Sequence, residues 1–418
     1  MKKVQAIVIG GGSAGLSAAV TLRKNGIDDI LVIEKDEEPG GILEQCIHNG
    51  FGLQTFKEQL SGPAYAERFI RMAEECGVRI LLNTMVTKLT ADRVVEYVSA
   101  EEGTVQVQAD AVILAVGCYE RPRGGINITG TRPTGIYTAG QAQRYLNIDG
   151  YMVGKRVFIL GSGDIGLIMA RRMTLEGAKV VGVAELMPYS NGLPRNMKQC
   201  LEDFNIPLYL SHTVTEVYGK DRLEKIKMME VDANRNPIPG TEEYFEVDTL
   251  LLSVGLIPEN HLADQAGIRI DPGTKGPVVD DRYMTSAEGI FACGNGLHVH
   301  DLVDYVSIQA AKAAEGAVSY LRNGKPQGEP LGIRNGNQVS YCVPSQFYPQ
   351  DPAEKLTVYF RVRTPLDQGT LIVRSGDRVI RSVKKRKLVP SVMEEAILLQ
   401  KDMAGLTEPI TIEIAEEA

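Results

Sequence analysis

Through most of the first three hundred positions, apolar residues come in short unbroken runs rather than in alternation. Val4-Gln5-Ala6-Ile7-Val8-Ile9, Ile30-Leu31-Val32-Ile33, Ala111-Val112-Ile113-Leu114-Ala115-Val116, Val157-Phe158-Ile159-Leu160 and Thr249-Leu250-Leu251-Leu252-Ser253-Val254 are examples. Runs of this length, rich in β-branched residues, predict strands buried on both faces of a parallel sheet. The stretches between them are long enough for helices, so the body is expected to be α/β.

Past residue 322 the pattern changes. Residues 322–338 are dominated by Gly, Pro and Asn and read as a linker. Beyond it, Leu356-Thr357-Val358-Tyr359-Phe360-Arg361-Val362 alternates as a half-buried strand does. Leu371–Arg374 and Arg378–Ile380 flank the turn Ser375-Gly376-Asp377 as a hairpin. Ile410–Ile414 reads as a last strand, and one short helix is expected after Pro390. The tail is therefore expected to be a small β domain of sandwich type.

Two segments 151 residues apart repeat one plan. A buried strand enters Gly10-Gly11-Gly12-Ser13-Ala14-Gly15 or Gly161-Ser162-Gly163-Asp164-Ile165-Gly166. A helix follows, then a second strand ending on Glu34 or Glu185, each 24 residues past the first glycine. This strand, Gly-rich turn, helix and acidic residue is the full context of a dinucleotide site. Gly10 and Gly161 permit the tight turn. Gly12 and Gly163 let a pyrophosphate approach the backbone, and Gly15 and Gly166 let the helix pack on the strand. The helix N-terminus offers free N–H groups and the positive end of its dipole. Glu34 and Glu185 can accept from ribose hydroxyls, and a carboxylate at 185 would repel a 2′-phosphate, favouring NAD over NADP. Two dinucleotide sites on one chain point to a flavin and a nicotinamide exchanging a hydride.

Composition narrows the function classes. Hydrophobic residues make up 44% and charged residues 23%, the balance of an ordered globular chain. The formal charge of −8 lacks the basic footprint of a nucleic-acid binder. No apolar run reaches the roughly 18 residues a membrane span requires. Six cysteines, none within four positions of another, do not form a disulfide framework, and a cytoplasmic location is expected. No metal site is expected.

The order of segments resembles the two-dinucleotide flavoproteins of the glutathione-reductase type. Ala111–Gly117 is similar to the end of their first FAD segment, Ser253–Pro258 to the close of the NAD domain, and Gly289–Asn295 to the late FAD motif, where Asn295 replaces an Asp. The resemblance implies FAD at the first turn and NAD at the second, inserted, one. Expected domains are 1–125 with 260–325 for FAD, 126–259 for NAD, a linker at 326–338 and a β domain at 339–418. FAD contacts are implied for Gly10, Gly12, Ser13, Ala14, Gly15, Glu34, Lys35, Gly41, Val86, Gly117, Gly294, Asn295 and Leu302. NAD contacts are implied for Gly161, Gly163, Asp164, Ile165, Gly166, Glu185 and Gly255. Gly117–Pro122 and Thr138–Gln143 resemble the FAD/NAD subunits of opine, proline and cyanide-forming amino-acid dehydrogenases. Gly40–Leu53 and Gly294–Asp304 resemble the FAD/NAD subunits that accompany anaerobic glycerol-3-phosphate dehydrogenase and work beside a small Cys-rich protein. Three expectations about partners follow, namely a dehydrogenase subunit of the same complex, a small Cys-rich electron-transfer protein, and possible homo-oligomerisation.

Three features leave alternatives open. Cys46 lies where related disulfide reductases carry redox cysteines, with His48 close by to stabilise a thiolate. It is either a single-Cys reductant or a small residue lining the flavin pocket. His298, His300, Asp301 and Asp304 form the densest polar cluster, either serving the flavin, with His300 as a catalytic candidate, or only holding their loop. Lys384-Lys385-Arg386-Lys387 is either a solvated edge or a docking patch for an acidic partner. The leading reading is an FAD/NAD oxidoreductase that works as one subunit of a complex. The alternatives are a stand-alone NADH oxidase or single-Cys reductase, and a non-catalytic, nucleotide-bound subunit for assembly.

Overall fold

Strand Lys2–Ile9 has Ala6, Ile7 and Val8 buried completely, as its position in the middle of a sheet demands. The computed structural model describes residues 2–416 and divides into two units, one of residues up to Cys118 together with those from Pro258 onward, the other Tyr119–Ile257. In the first unit the strand order is Arg79–Leu81, Ile30–Ile33, Lys2–Ile9, Gly103–Leu114, Val94–Ser99, Thr84–Leu89. Ile290–Ala292 also pairs in parallel with Gly103–Leu114, placing Phe291 opposite Ile113. Lys2–Ile9 is parallel to both neighbours, with Ile7 opposite Leu31 and Val112. Helices Ser13–Lys24 and Val303–Asn323 supply Ala18, Leu22, Ala310 and Ala313 to the core beneath the sheet. Small residues on both helices let them lie close to the strands.

The second unit holds a five-stranded parallel sheet in the order Ile136–Thr138, Thr249–Leu252, Arg156–Leu160, Lys179–Glu185, Leu208–Leu210. A four-stranded sheet around His212–Gly219 and Leu223–Glu230 accompanies it. Crossover helix Asp164–Leu175 buries Leu167, Met169, Ala170 and Met173. The fold is α/β, with a dinucleotide-type parallel sheet in each unit.

The tail forms two sheets sharing one core of Val358, Phe360, Val373, Ile412 and their neighbours. One runs Gln346–Phe347, Leu331–Asn335, Ile410–Glu416, Leu366–Ser375, Arg378–Leu388; the other runs Val339–Val343, Lys355–Val362, Glu394–Leu399. One expectation changes here. The stretch 326–338 is not linker throughout: Leu331–Asn335 is a strand parallel to Ile410–Glu416, with Ile333 buried. Its Gly and Asn residues mask the alternation in the sequence. The tail has a core of its own and groups with the residues up to Cys118 in one compact unit. The unit boundaries fall at 118/119 and 257/258, a few residues before those expected from the sequence. The short helix beyond Pro390 is Gln400–Met403. Basic strand Arg378–Leu388 is the outer strand of its sheet. Among the described residues no helix is long and apolar enough to cross a membrane.

Candidate functional site

The first Gly-rich turn lies at the carboxyl end of strand Lys2–Ile9. Gly10 has φ 105°, which a side chain rarely tolerates. A Cβ on Gly15 would fall on Gly10 O, so helix and strand meet with nothing between them. Gly12 is different. A Cβ there would meet no protein atom nearer than Gly40 O at 3.9 Å, which leaves the backbone open on that side. Gly12 caps helix Ser13–Lys24 without a side-chain hydrogen bond, and no acidic residue occupies the first turn. The N–H groups around Ser13 and Ala14 therefore form an anion-receptive end. Gly41 lies beside it; a Cβ there would stand 3.2 Å from Gly12 Cα.

Glu34, buried just past the end of the next strand, accepts from Gly11 N (2.5 Å) through Oε2 and from Asp36 N (2.9 Å) through Oε1. Thr84 N donates to Glu34 O at 2.9 Å, which brings the strand carrying Val86 alongside. A bulge follows Val86. Lys35 points outward and pairs with Asp36. Gly117, at φ 73°, also faces open space, with no atom within 4 Å of a Cβ built on it.

The second turn reproduces this construction. Gly161 has φ 96°, and a Cβ on Gly166 would stand 2.7 Å from Ser253 Cβ. Glu185 is buried and accepts from Ser162 N (3.0 Å) through Oε2 and Met187 N (2.9 Å) through Oε1. In both sites, then, the acid is held by the second residue of the turn and by the residue two places after itself. Gly163 caps helix Asp164–Leu175 without a side-chain bond. The Asp164 carboxylate turns aside to Leu193 N (2.9 Å) and Asn196 Nδ2 (2.7 Å), beside half-buried Ile165. Gly255, at φ 103°, accepts from Arg121 N at 3.0 Å. Uncapped helix ends and a seated acid make both turns suitable for a dinucleotide; the backbone is open at Gly12, whereas a Cβ on Gly163 would stand 3.1 Å from Ser253 Oγ.

The polar cluster after Gly294 resolves into separate jobs. Asp304, in the first turn of helix Val303–Asn323, is buried and accepts from the N–H groups of Gly52 (3.0 Å), Gln54 (3.1 Å) and Thr55 (2.8 Å). Leu302 caps that helix without a side-chain bond. Asn295 Oδ1 accepts from His300 N at 3.0 Å. Asp301 pairs with Arg361 of the tail, both mostly buried, and accepts from Met393 N at 2.6 Å. Arg361 also donates to Val299 O (3.2 Å), Pro390 O (3.1 Å) and the Tyr341 hydroxyl (3.1 Å).

Sequence reading missed Gln309, the hub of this cluster. The available signal was a polar residue beside the apolar stripe Val306, Ala310, Ala313. Gln309 Oε1 accepts from Gly294 N (2.9 Å), which orients the amide, because a backbone N–H can only donate. The same oxygen faces His300 Nε2 (3.1 Å), so His300 carries its proton there. The amide nitrogen faces His298 Nε2 (2.7 Å), which must accept, leaving the His298 proton on Nδ1. Both rings are buried against Tyr359. Neither Nδ1 meets a partner among the described residues. Burial pushes His298 well below the usual imidazole range. Burial also takes His300 down to about 4, with the Gln309 bond and Asp301 opposing. Both are neutral near pH 7. His300 thus occupies a buried position between Gln309 and Tyr359, shielded from solvent.

Cys46 and His48 lie on the loop between the 3-10 turn Gly41–Gln45 and strand Asn49–Phe51. Cys46 is half-buried and donates from Sγ to Ile42 O at 3.3 Å. The bulk of protein around it pushes its thiol up to about 12, the reverse of what a nucleophile requires. The His48 ring packs against Phe51, 5.0 Å between centroids. None of the six cysteines is in a disulfide. Among the described residues, no three His, Cys, Asp or Glu side chains gather as a metal site.

Known proteins share this architecture. Hydrogen cyanide synthase subunit HcnB of Pseudomonas protegens is 24% identical over 332 residues, covering 74% of this chain and 67% of that protein. The small chain of glutamate synthase [NADPH] of Escherichia coli is 28% identical over 351 residues, covering 75% of this chain and 68% of that protein. The chain thus spans about two thirds of the length of these relatives. Thioredoxin reductase of T. acidophilum has the same fold, with TM-score 0.62 at 24% identity over 76% of this chain and 99% of that one. Residues 4–317 match the pyridine nucleotide-disulphide oxidoreductase family. With two seated dinucleotide turns and a match over three quarters of its length, the chain belongs to that family of flavin- and nicotinamide-dependent oxidoreductases, whose members bind FAD and NAD(P).

Proposed function

We propose that this chain is the FAD/NAD(H) subunit of a dehydrogenase complex, with FAD at the turn Gly10–Gly15 and NAD(H) at Gly161–Gly166. The observation that carries the reading is the matching seating of Glu34 and Glu185. Each carboxylate is held by two backbone N–H groups with lone pairs left over for a ribose diol. Each stands beside a helix end that no side chain caps. The bound groups supply hydride exchange between flavin and nicotinamide; the residues of this chain hold, orient and shield. Gly12, Ser13, Ala14 and Gly41 border the pyrophosphate of FAD, and Glu34 with the strand around Val86 takes its adenosine half. Gly117, Gly294, Asn295 and Leu302 approach the ribityl and ring end. Gly163, Asp164, Ile165 and Gly166 border the nicotinamide dinucleotide, with Glu185 favouring the unphosphorylated ribose.

The subunit reading draws on relatives that are named as parts of larger enzymes, and on the loops Gly40–Leu53 and Gly294–Asp304. The partner is a dehydrogenase of the glycerol 3-phosphate or amino-acid class, with a small Cys-rich protein as a further carrier. Six cysteines outside any disulfide agree with a reducing, cytoplasmic setting. No second cysteine stands at a short spacing from Cys46, which weighs against dithiol–disulfide chemistry there. Purified protein should be yellow, bleach anaerobically with NADH and reduce artificial dyes. It should not oxidise glycerol 3-phosphate or amino acids until the partner is added. Vigorous oxidation of either by this chain alone would refute the subunit role, and a colourless protein unable to take up FAD would refute the flavin assignment.

A further inference from the structure

The two turns differ at one informative position. Where the first has Gly11, the second has Ser162, whose side chain is completely buried. Its hydroxyl donates to Glu185 Oε2 at 2.6 Å, a short bond to a charged acceptor, and accepts from Asn191 N at 2.9 Å. Glu185 is therefore held by three donors, two on Oε2 and one on Oε1, against the two on Glu34. Asn191 begins a segment that folds back over the turn. Gly192 lies so close that a Cβ would stand 2.8 Å from Ser162 O. Leu193 N and Asn196 Nδ2 fasten the far side to Asp164. The residues leaving strand Lys179–Glu185 thus form a strap over the Gly-rich turn, tied by Ser162 at one end and Asp164 at the other.

We propose that Ser162 is a specificity-determining positioning residue that locks Glu185 against a nucleotide carrying a 2′-phosphate. A carboxylate can admit a phosphate only by turning away or taking up a proton. Turning away here breaks three hydrogen bonds, one of them the short hydroxyl bond. It also leaves the buried Ser162 hydroxyl without its acceptor, a cost the first turn would not incur. The locked carboxylate keeps its charge where the phosphate would lie, and the strap keeps Ser162 in place through Asn191. The inference rests on NAD(H) occupying the second turn.

The test is calorimetric titration of the FAD-loaded protein with NAD+ and with NADP+, neither of which turns over alone. Wild type should bind NAD+ more tightly. Ser162→Ala should reduce that preference about tenfold, roughly the worth of one charge-assisted hydrogen bond, mainly by improved NADP+ binding. Ser162→Thr, which keeps the hydroxyl, should restore it. Asn196→Ala, which loosens the strap but leaves the hydroxyl, should change both affinities by the same factor and keep the ratio. Ser162→Gly, copying the first turn, serves if Ser162→Ala does not fold, as judged by flavin content and melting temperature. A wild type that prefers NADP+ overturns the reading of Glu185 and this inference with it. A wild type that prefers NAD+ and a Ser162→Ala ratio unchanged within about twofold overturns this inference alone. A ratio lost in Asn196→Ala assigns the discrimination to the strap and overturns the role of Ser162.

Discussion

At Gly12 a side chain would enter open space, whereas at Gly15 it would collide with the Gly10 carbonyl. The two glycines should therefore fail differently. Gly12→Val should fold and hold FAD at least about tenfold more weakly, because the pyrophosphate needs that space. Gly15→Val should not reach a stable fold at all. Absorbance of bound flavin beside a circular-dichroism melt separates the two, and full flavin occupancy in Gly12→Val would remove the first site from where it is assigned. Asp281 is the other residue with a sharp expectation. It is buried, and its carboxylate oxygens meet no full hydrogen bond among the described residues, the backbone N–H groups of Asp281 and Ala353 compensating only in part. Burial and neighbouring Asp280 push it up to about 7, with Arg282 partly offsetting them. The folded state takes up this proton near pH 7 and the unfolded chain near about 3.9, so the charge costs stability above pH 7 and the cost fades as the pH falls. Asp281→Asn should stabilise the protein at pH 8 by about 1–3 kcal/mol and by almost nothing at pH 4; equal gains at both pH values would contradict this. The glycine spacings and the acids Glu34 and Glu185 were legible in the chain because the site is built from neighbours in sequence. Asp281 was not, since nothing local distinguishes a surface Asp-Asp pair from one buried under other elements.

The elements around Gly294 show the same division more strongly. The late strand and helix Val303–Asn323 follow from apolar runs and a helical stripe. The fate of His298 and His300 does not, because the ring covering them, Tyr359, lies about sixty residues further on and in another sheet. The partner of Asp301 is likewise Arg361. Arg361→Ala would leave Asp301 charged and mostly buried with one fewer partner, at a cost of about 3 kcal/mol. It should lower the denaturant midpoint and release flavin earlier in the titration, since the loop it holds also carries Gly294 and Asn295. A midpoint equal to wild type would show that the tail does not brace this loop. The histidines add an acid sensitivity. His300 stays neutral down to about pH 4, whereas an unfolded histidine takes a proton near about 6.5. The unfolded state binds more protons in that window, so this contribution to stability declines as pH drops from about 6.5 to about 4, opposite in sign to Asp281. In His300→Gln, which cannot titrate, the loss of stability over that window should be shallower than in wild type; an unchanged slope would mean that His300 titrates normally.

On the scale of the whole molecule, the tail changes meaning. Its period-two pattern marks a β domain, and the Gly-, Pro- and Asn-rich stretch before it looks like a boundary, but long-range contacts decide where a unit ends. Ile333 joins the tail core, while Tyr359 packs on His298 and His300 and Arg361 bonds Val299 and Asp301. Truncation after residue 325 should therefore strip flavin as well as any coupling to a partner, seen as loss of the yellow chromophore on gel filtration. A truncated protein that kept its flavin would restore the picture of an independent appendage. The strand Ile290–Ala292 carries a different implication, one of timing. It completes the sheet beside Val112–Leu114, yet the ribosome makes it only after the whole of Tyr119–Ile257. At roughly 5–20 residues per second, that side of the sheet waits on the order of 10–40 s with an apolar strand edge unpaired. The nascent chain thus passes through a period of stickiness that the finished protein no longer shows, and its yield in a cell depends on what shields that edge in the interval.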